Sequence, residues 1–201
     1  MPNQANIPED MRQPFIRDFY RALYNVYSND SLLIENKCCE RSIVFRLGLY
    51  LAEYLRGRGL DVDCEYNKEG ENPKSLPQQK HNFPDLIVHE RACSERNRLI
   101  VEVKTFNNSK TKGLEQDREK LIGFTQDERY RYKWGVHVYI APTICYLVWY
   151  QQGEVRHYFE LPMAGNNCAS ERRKRKYRFF SWYNELRAKE PNMPGWRPWK
   201  G

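Results

Sequence analysis

The stretch from Pro84 to Lys104, PDLIVHERACSERNRLIVEVK, constrains this chain more than any other. Asp85 stands at the mouth of an apolar run, Leu86-Ile87-Val88, and polar residues with turn chemistry follow it. A second apolar run, Leu99 to Val103, carries Glu102 and is followed by Lys104. Side chains alternate between the two faces of a strand. Glu102 and Lys104 are therefore expected to project together, with Val101 and Val103 projecting the other way. Pairing of the two runs as a hairpin that turns near Ser94 and Glu95 brings Asp85 close to Lys104. Two carboxylates and one ammonium then meet on one surface. The carboxylates repel each other unless a cation lies between them, and oxygen ligands of this kind suit Mg²⁺ or Mn²⁺.

Pro84-Asp85, a spacer and Glu102-Val103-Lys104 together resemble the signature of the PD-(D/E)XK nuclease superfamily. The motif is short and gains weight from its context. Both halves lie on β-rich apolar runs, and the neighbouring elements arrive in the family's order. The resemblance covers roughly Lys37 to Leu161. It implies an α/β fold with a restriction-endonuclease-like core, a mixed central sheet flanked by helices. The core order would be a helix, a three-stranded meander, a helix and a further strand. It also implies a Mg²⁺-dependent endonuclease that hydrolyses phosphodiester bonds in DNA, with Mn²⁺ as the alternative metal and RNA left open as a substrate. Asp85 and Glu102 would hold the metal, together with the backbone carbonyl of Val103. Lys104 would orient or deprotonate the attacking water. An acid on the first core helix often reaches the metal in this family, and Glu40 matches that place. The residues alone leave Glu40 open between this role and simple complementation of a helix dipole. Restriction, defence, mobile-element and repair roles all fit the family. So do a homodimer and a partner protein that supplies recognition or ATP-driven motion. Two rival classes stand beside the nuclease: a catalytically silent nucleic-acid-binding module on the same fold, and a protein-interaction module.

With 201 residues the chain has room for one domain with an appendage, and it can bury a core without staples. The division expected is an N-terminal helical extension over 1–36, the nuclease-like core over 37–161, and a basic, aromatic extension over 162–201. Aromatic residues make up 14% of the chain, which argues against disorder, and the net charge of +7 suits a polyanionic partner. The six cysteines include no CxxC pair and no zinc-like spacing. Free buried thiols in a reducing cytoplasm are the expectation, with Cys64 and Cys145 inside apolar runs. The N-terminus has neither the basic start nor the apolar core of a signal peptide, and no run is long enough to span a membrane.

Outside the motif, Phe15, Phe19 and Leu23 predict a helix opened by Pro14 and ended at Ser28-Asn29-Asp30. Ile43, Leu47, Leu51 and Leu55 predict a second, stopped by Gly57 and Gly59. Leu60 to Tyr66 alternates as a half-buried strand whose other face carries Asp61, Asp63 and Glu65, with Glu65 a weak site candidate. Residues 67–82 read as a long loop that could turn Lys68, Lys74, Lys80 and His81 toward a phosphate backbone, or simply be solvated. A helix is expected from Gly113 to Phe124, with Leu114, Leu121 and Phe124 inside. Glu115, Asp117, Arg118, Glu119 and Lys120 are expected on its charged outer face, from which Asp117 and Lys120 could contact substrate. Strands over 135–142, 144–150 and 155–159 follow, the last two joined at Gln152-Gly153. They carry His137 and His157 as packed or rim residues. After a linker, Arg172, Arg173, Lys174, Arg175 and Lys176 form the nucleic-acid-binding candidate, beside aromatics such as Trp182 and Tyr183 that dock on the core.

Overall fold

Apolar periodicity fixes the helices first. The structure, a computed structural model, describes residues 8–69, 72–74, 76, 83–91, 93–107, 111–163, 182–189 and 197–198. Pro14 takes the first turn of α1 (Pro14–Asn29), where its missing N–H costs nothing, and the helix closes with the Asp30 amide on the Val26 carbonyl. A short α2 (Ser31–Glu35) leads into α3 (Glu40–Leu55), whose Ile43, Leu47, Leu51 and Leu55 are all buried. The chain leaves α3 through Gly57 and Gly59, both at positive φ.

Strands follow in the order β1 (Asp61–Cys64), β2 (Lys68–Glu69), β3 (Asn72–Pro73), β4 (Leu86–His89) and β5 (Leu99–Thr105). After α4 (Thr111–Gln126) come β6 (Trp134–Ala141), β7 (Ile144–Gln151) and β8 (Glu154–Pro162). Residues 182–189 form a last helix and β9 (Arg197–Pro198) a last short strand. The main sheet has the order β1-β4-β5-β6-β7-β8-β9 and is mixed. β5 and β6 run parallel, and so do β8 and β9. The other neighbours are antiparallel. A parallel pair needs a crossover, and α4 supplies it between β5 and β6. At the β7–β8 hairpin, Gln152 and Gly153 both take positive φ, as a tight two-residue turn requires.

Helices cover both faces of this sheet. Leu86, Val88, Leu99, Val101, Val103, Val136, Val138 and Ile140 pack under α1 and α3. Ile87, Ile100, Tyr139 and Val148 share the opposite layer with Leu114, Leu121 and Phe124 of α4, and with Trp182, Tyr183 and Leu186. The succession α3, β1-β4-β5, α4, β6 is the order expected, and the architecture is an α/β one compatible with a restriction-endonuclease-like core. No helix of the described residues is long and apolar enough to cross a membrane.

Two expectations are corrected here. Among the described cysteines only Cys145 is buried, whereas Cys39 and Cys64 are exposed and Cys38 and Cys93 are half-buried, all as free thiols. Cys64 ends the edge strand β1, where the chain turns away through Glu65 at φ +50. The second correction concerns α4. It is longer than predicted, and Asp117 is buried against the sheet, with Lys120 largely covered. Leu114, Asp117, Leu121 and Phe124 fall at i, i+3, i+7 and i+10, so Asp117 occupies the inward stripe.

Candidate active site

Hairpin register decides what meets what. Leu86 pairs with Val101, Ile87 with Ile100 and Val88 with Leu99, around a 3-10 turn at Ser94–Arg96. Strand pairing on this edge of β5 therefore stops one step before Glu102. Beyond that point the Val103 N–H has no strand partner, and it donates to Asp85 Oδ2 at 2.7 Å. The Val103 carbonyl points to the same side of the strand, and Lys104 Nζ lies 3.4 Å from it. Asp85 is thus pinned at the end of β4 by a backbone amide, facing the Glu102-Val103-Lys104 segment.

Alternation along β5 sends Glu102 and Lys104 to the face covered by α4, as expected. There they meet Asp117 and Lys120 of α4, for which a charged outer face was the first expectation and substrate contact the alternative. Lys120 Nζ lies 2.6 Å from Glu102 Oε2 and 3.5 Å from Asp117 Oδ1, and it donates to the Phe83 carbonyl at 3.5 Å. Lys104 Nζ lies 2.9 Å from Asp117 Oδ2 and 3.1 Å from Glu40 Oε1. Glu40 reaches this point from the first turn of α3, where its other oxygen accepts from the Thr105 amide at 3.2 Å. Asp85, Glu102, Val103, Lys104 and Glu40 are all brought together, with Asp117 and Lys120 completing a continuous charged network.

Charge is in excess here. Glu102 is fully buried, and its Oε1 has no hydrogen-bond partner among the described residues. Burial, then the neighbouring Asp85 charge, push the Glu102 pKa well above the ordinary glutamate range, against the pull of Lys120. Burial likewise raises Asp85 to about 6, although the Val103 amide, Lys104 and Lys120 oppose it. The lysines go the other way. Burial alone would favour neutral amines, but Asp117, Glu40 and Asp85 outweigh it at Lys104, as Glu102 and Asp117 do at Lys120. Both ammoniums are held charged. Among the described residues no group of three or more His, Cys, Asp and Glu side chains is arranged to hold a metal ion. Asp85 and the unpartnered Oε1 of Glu102 are nonetheless oxygen donors of the kind a hard divalent cation takes.

His137 on β6 lies behind this network, fully buried, with Nε2 3.6 Å from Asp117 Oδ2 and its ring against Trp182. Burial lowers its pKa to about 4, and Lys104 and Lys120 add to that against Asp117. A histidine depressed in the fold but ordinary when unfolded is neutral in the native state. Its contribution is present above pH 6.5 and is lost as pH falls toward 4. The stability difference between wild type and His137→Phe should therefore shrink by about 2 kcal/mol between pH 7 and pH 4.5. Urea denaturation at the two pH values measures it; Asp85 titrates in both proteins and cancels. A difference independent of pH would refute the buried neutral imidazole.

Other candidates lie elsewhere. Glu65 pairs with Arg41 at 2.9 Å on an exposed surface and takes no part. Lys74 does not turn toward solvent: it is buried, with Nζ 2.6 Å from the Tyr132 hydroxyl and over the Tyr66 and Tyr132 rings. It ties the loop down through cation–π and hydrogen-bond contacts. His157 is a rim residue, 2.9 Å from Asp10. Lys80, His81 and the basic run Arg172 to Lys176 lie outside the described residues.

Known proteins add little to this geometry. No protein-family model matches the chain, and no curated protein matches it. A similar solved structure is described as "cryoEM structure DrdV-DNA complex", at 14% identity and a TM-score of 0.43. The similarity covers 71% of this chain, which spans only 12% of that one.

Proposed function

We propose that this chain is a metal-dependent nuclease of the PD-(D/E)XK kind that hydrolyses phosphodiester bonds in DNA. One observation carries the reading: two desolvated carboxylates, Asp85 and Glu102, share a pocket with a charged Lys104 at the unpaired end of the β4–β5 hairpin. Desolvated carboxylates are costly in the fold, and a structural role alone does not call for them. Asp85, Glu102 and the Val103 carbonyl would hold Mg²⁺ or Mn²⁺. The bound ion would lower the pKa of a water and neutralise phosphoryl oxygens.

The remaining chemistry belongs to this chain's own side chains. Lys104, held protonated by Asp117 and Glu40, works as a fixed ammonium. It donates a hydrogen bond to the attacking water or a phosphoryl oxygen and offsets the charge that develops there. Glu40 is committed to Lys104 and the Thr105 amide, so it positions Lys104. Incubating the pure chain with duplex DNA, single-stranded DNA and RNA, with Mg²⁺, Mn²⁺ or EDTA, tests the activity. Metal-dependent scission supports the reading, and intact substrates under every condition count against it.

The engagement of Glu40 and the lack of a ready three-ligand cluster among the described residues favour one second reading. In it the chain is a catalytically silent nucleic-acid-binding module on the same fold. That module binds DNA in a salt-sensitive, metal-independent manner and cuts nothing.

Both readings take the basic run Arg172 to Lys176 as a source of non-specific phosphate affinity. Each phosphate neutralised adds about 0.9 to the slope of log affinity against log salt for duplex DNA. Replacing all five residues with serine should flatten that slope by several units, with cleavage recovering at saturating DNA. Fluorescence anisotropy across a salt series measures the slope, and an unchanged slope would make the run a surface for something other than nucleic acid.

A further inference from the structure

One side of α3 is left over once the pocket and the core are accounted for. Its buried side packs on the sheet through Ile43, Leu47, Leu51 and Leu55. Its flank is tied to α1 by Tyr54 and Asn25 at 2.7 Å, and to the α1–α2 junction by Arg46 and Asp30 at 2.8 Å. The remaining side carries Arg41, Phe45, Leu49 and Glu53, each four residues after the last and all exposed. Phe45 is 61% exposed and Leu49 48%, among the few large apolar side chains of the described residues that face water. Side chains four residues apart form a ridge, the element by which one helix packs into the groove of another.

This ridge is its own complement. When two copies of α3 lie antiparallel about a two-fold axis near Leu47, Phe45 faces Leu49 of the second copy and Arg41 faces its Glu53. The symmetry makes each of these contacts twice, apolar at the centre and ionic at both ends. Interdigitation of such ridges from both helices is the commonest helix packing class. The ionic ends are available for it. Arg41 is held by Glu65, and Glu53 by Arg56, in pairs whose side chains are all more than half exposed. Pairs this exposed stabilise little, so exchanging partners costs little. A polyanion would meet Glu53 and gain nothing from the apolar centre. A partner surface of one sign would match only one end. Opposite charges at the two ends, with apolar residues between them, fit a second copy of this chain.

We infer that the α3 ridge Arg41-Phe45-Leu49-Glu53 is a homodimer contact, on which two copies pack antiparallel about a two-fold axis. Glu40 lies in the first turn of α3, so the dimer holds its two pockets at opposite ends of the helix pair. A single helix pair buries less than the roughly 1,200 Å² of a stable interface, so the association is weak and reversible. Neither metal nor DNA enters the argument, and the inference stands apart from the nuclease reading.

Sedimentation velocity of the pure chain, from low to high micromolar at physiological ionic strength, tests it. Wild type should pass from monomer to dimer with a dissociation constant in the micromolar range. Leu49→Asp, which sets a carboxylate against Phe45 of the second copy, should stay monomeric throughout. Arg41→Glu and Glu53→Arg should each weaken the dimer by about tenfold, because either change sets like charges together at both ends of the contact. The double variant Arg41→Glu, Glu53→Arg should return to within about threefold of wild type, since the pair is restored with its signs exchanged. All four positions are exposed, so the fold should persist, and circular dichroism and melting temperature check it. Should Leu49→Asp fail to fold, Leu49→Gln takes its place and should weaken the dimer. A wild type that is monomeric at every concentration would overturn the inference and leave the ridge to a different protein or to another segment of this chain. A dimer that Leu49→Asp does not affect would overturn it by placing the contact elsewhere. A double variant no tighter than the single ones would overturn it by removing the antiparallel pairing.

Discussion

Lys104→Met should lower DNA cleavage by roughly 10²–10³-fold at saturating metal and DNA, the loss typical of one preorganised donor to developing charge. Methionine keeps most of the aliphatic stem and removes only the ammonium. The change leaves Asp117 and Glu40 without their shared partner, and some stability will be lost with it. The two effects separate in the measurements. The shift in melting temperature on adding Mn²⁺ should survive, because Asp85 and Glu102 remain. DNA affinity in EDTA should change little. A loss in kcat with metal-induced stabilisation retained is the expected pattern. Equal cleavage by wild type and Lys104→Met would remove Lys104 from the chemistry.

Asp85→Asn should do two things in opposite directions: abolish cleavage and make the metal-free protein more stable. The sign follows from the raised pKa. Asp85 titrates near 6 in the fold and near 3.8 when unfolded, so the native state binds the proton more tightly. Stability then falls as pH rises from about 4 through 6, and the full penalty stands above that. The difference of about two pH units corresponds to at most about 3 kcal/mol. Asparagine carries no charge, and its side-chain oxygen can still accept from the Val103 amide. At pH 8 in EDTA its melting temperature should exceed that of wild type by on the order of 5 °C. Saturating Mn²⁺ should narrow the gap by stabilising wild type alone. Such a trade of stability for a charged pocket is common at functional sites. A destabilised Asp85→Asn protein in EDTA would mean that the carboxylate is well compensated and needs no cation.

Much of this site could be read along the chain, because a strand's alternation is a local rule. The projection of Glu102 and Lys104 to one face follows from their spacing, and the hairpin follows from two apolar runs with turn residues between them. The α3 stripe through Ile43, Leu47, Leu51 and Leu55 was equally local, and it placed Glu40 in the first turn. Asp117 and Lys120 were harder. A charged residue on a helix normally faces water, and their inward direction depends on α4 lying over β5, which is a tertiary fact. The spacing of Asp117 from Leu114, Leu121 and Phe124 was the available signal, but a carboxylate among leucines has no reason to turn inward until Lys104 is there to meet it. Lys74 and Cys64 misled for the same reason in opposite senses. Tyr66 and Tyr132 close around the lysine, and the sheet edge exposes the cysteine.

The central claim is that Asp85 and Glu102 make a cation site that drives DNA scission. The most direct test is cleavage of end-labelled duplex DNA by wild type and by Glu102→Gln, each in Mg²⁺ and in EDTA, with folding checked by circular dichroism. Glutamine can still accept from Lys120 through its side-chain oxygen while removing the buried charge, so the fold should persist. The account predicts cleavage by wild type in Mg²⁺ alone, and none above background by Glu102→Gln in either condition. Cleavage that persists in Glu102→Gln, or that wild type carries out equally well in EDTA, would contradict it.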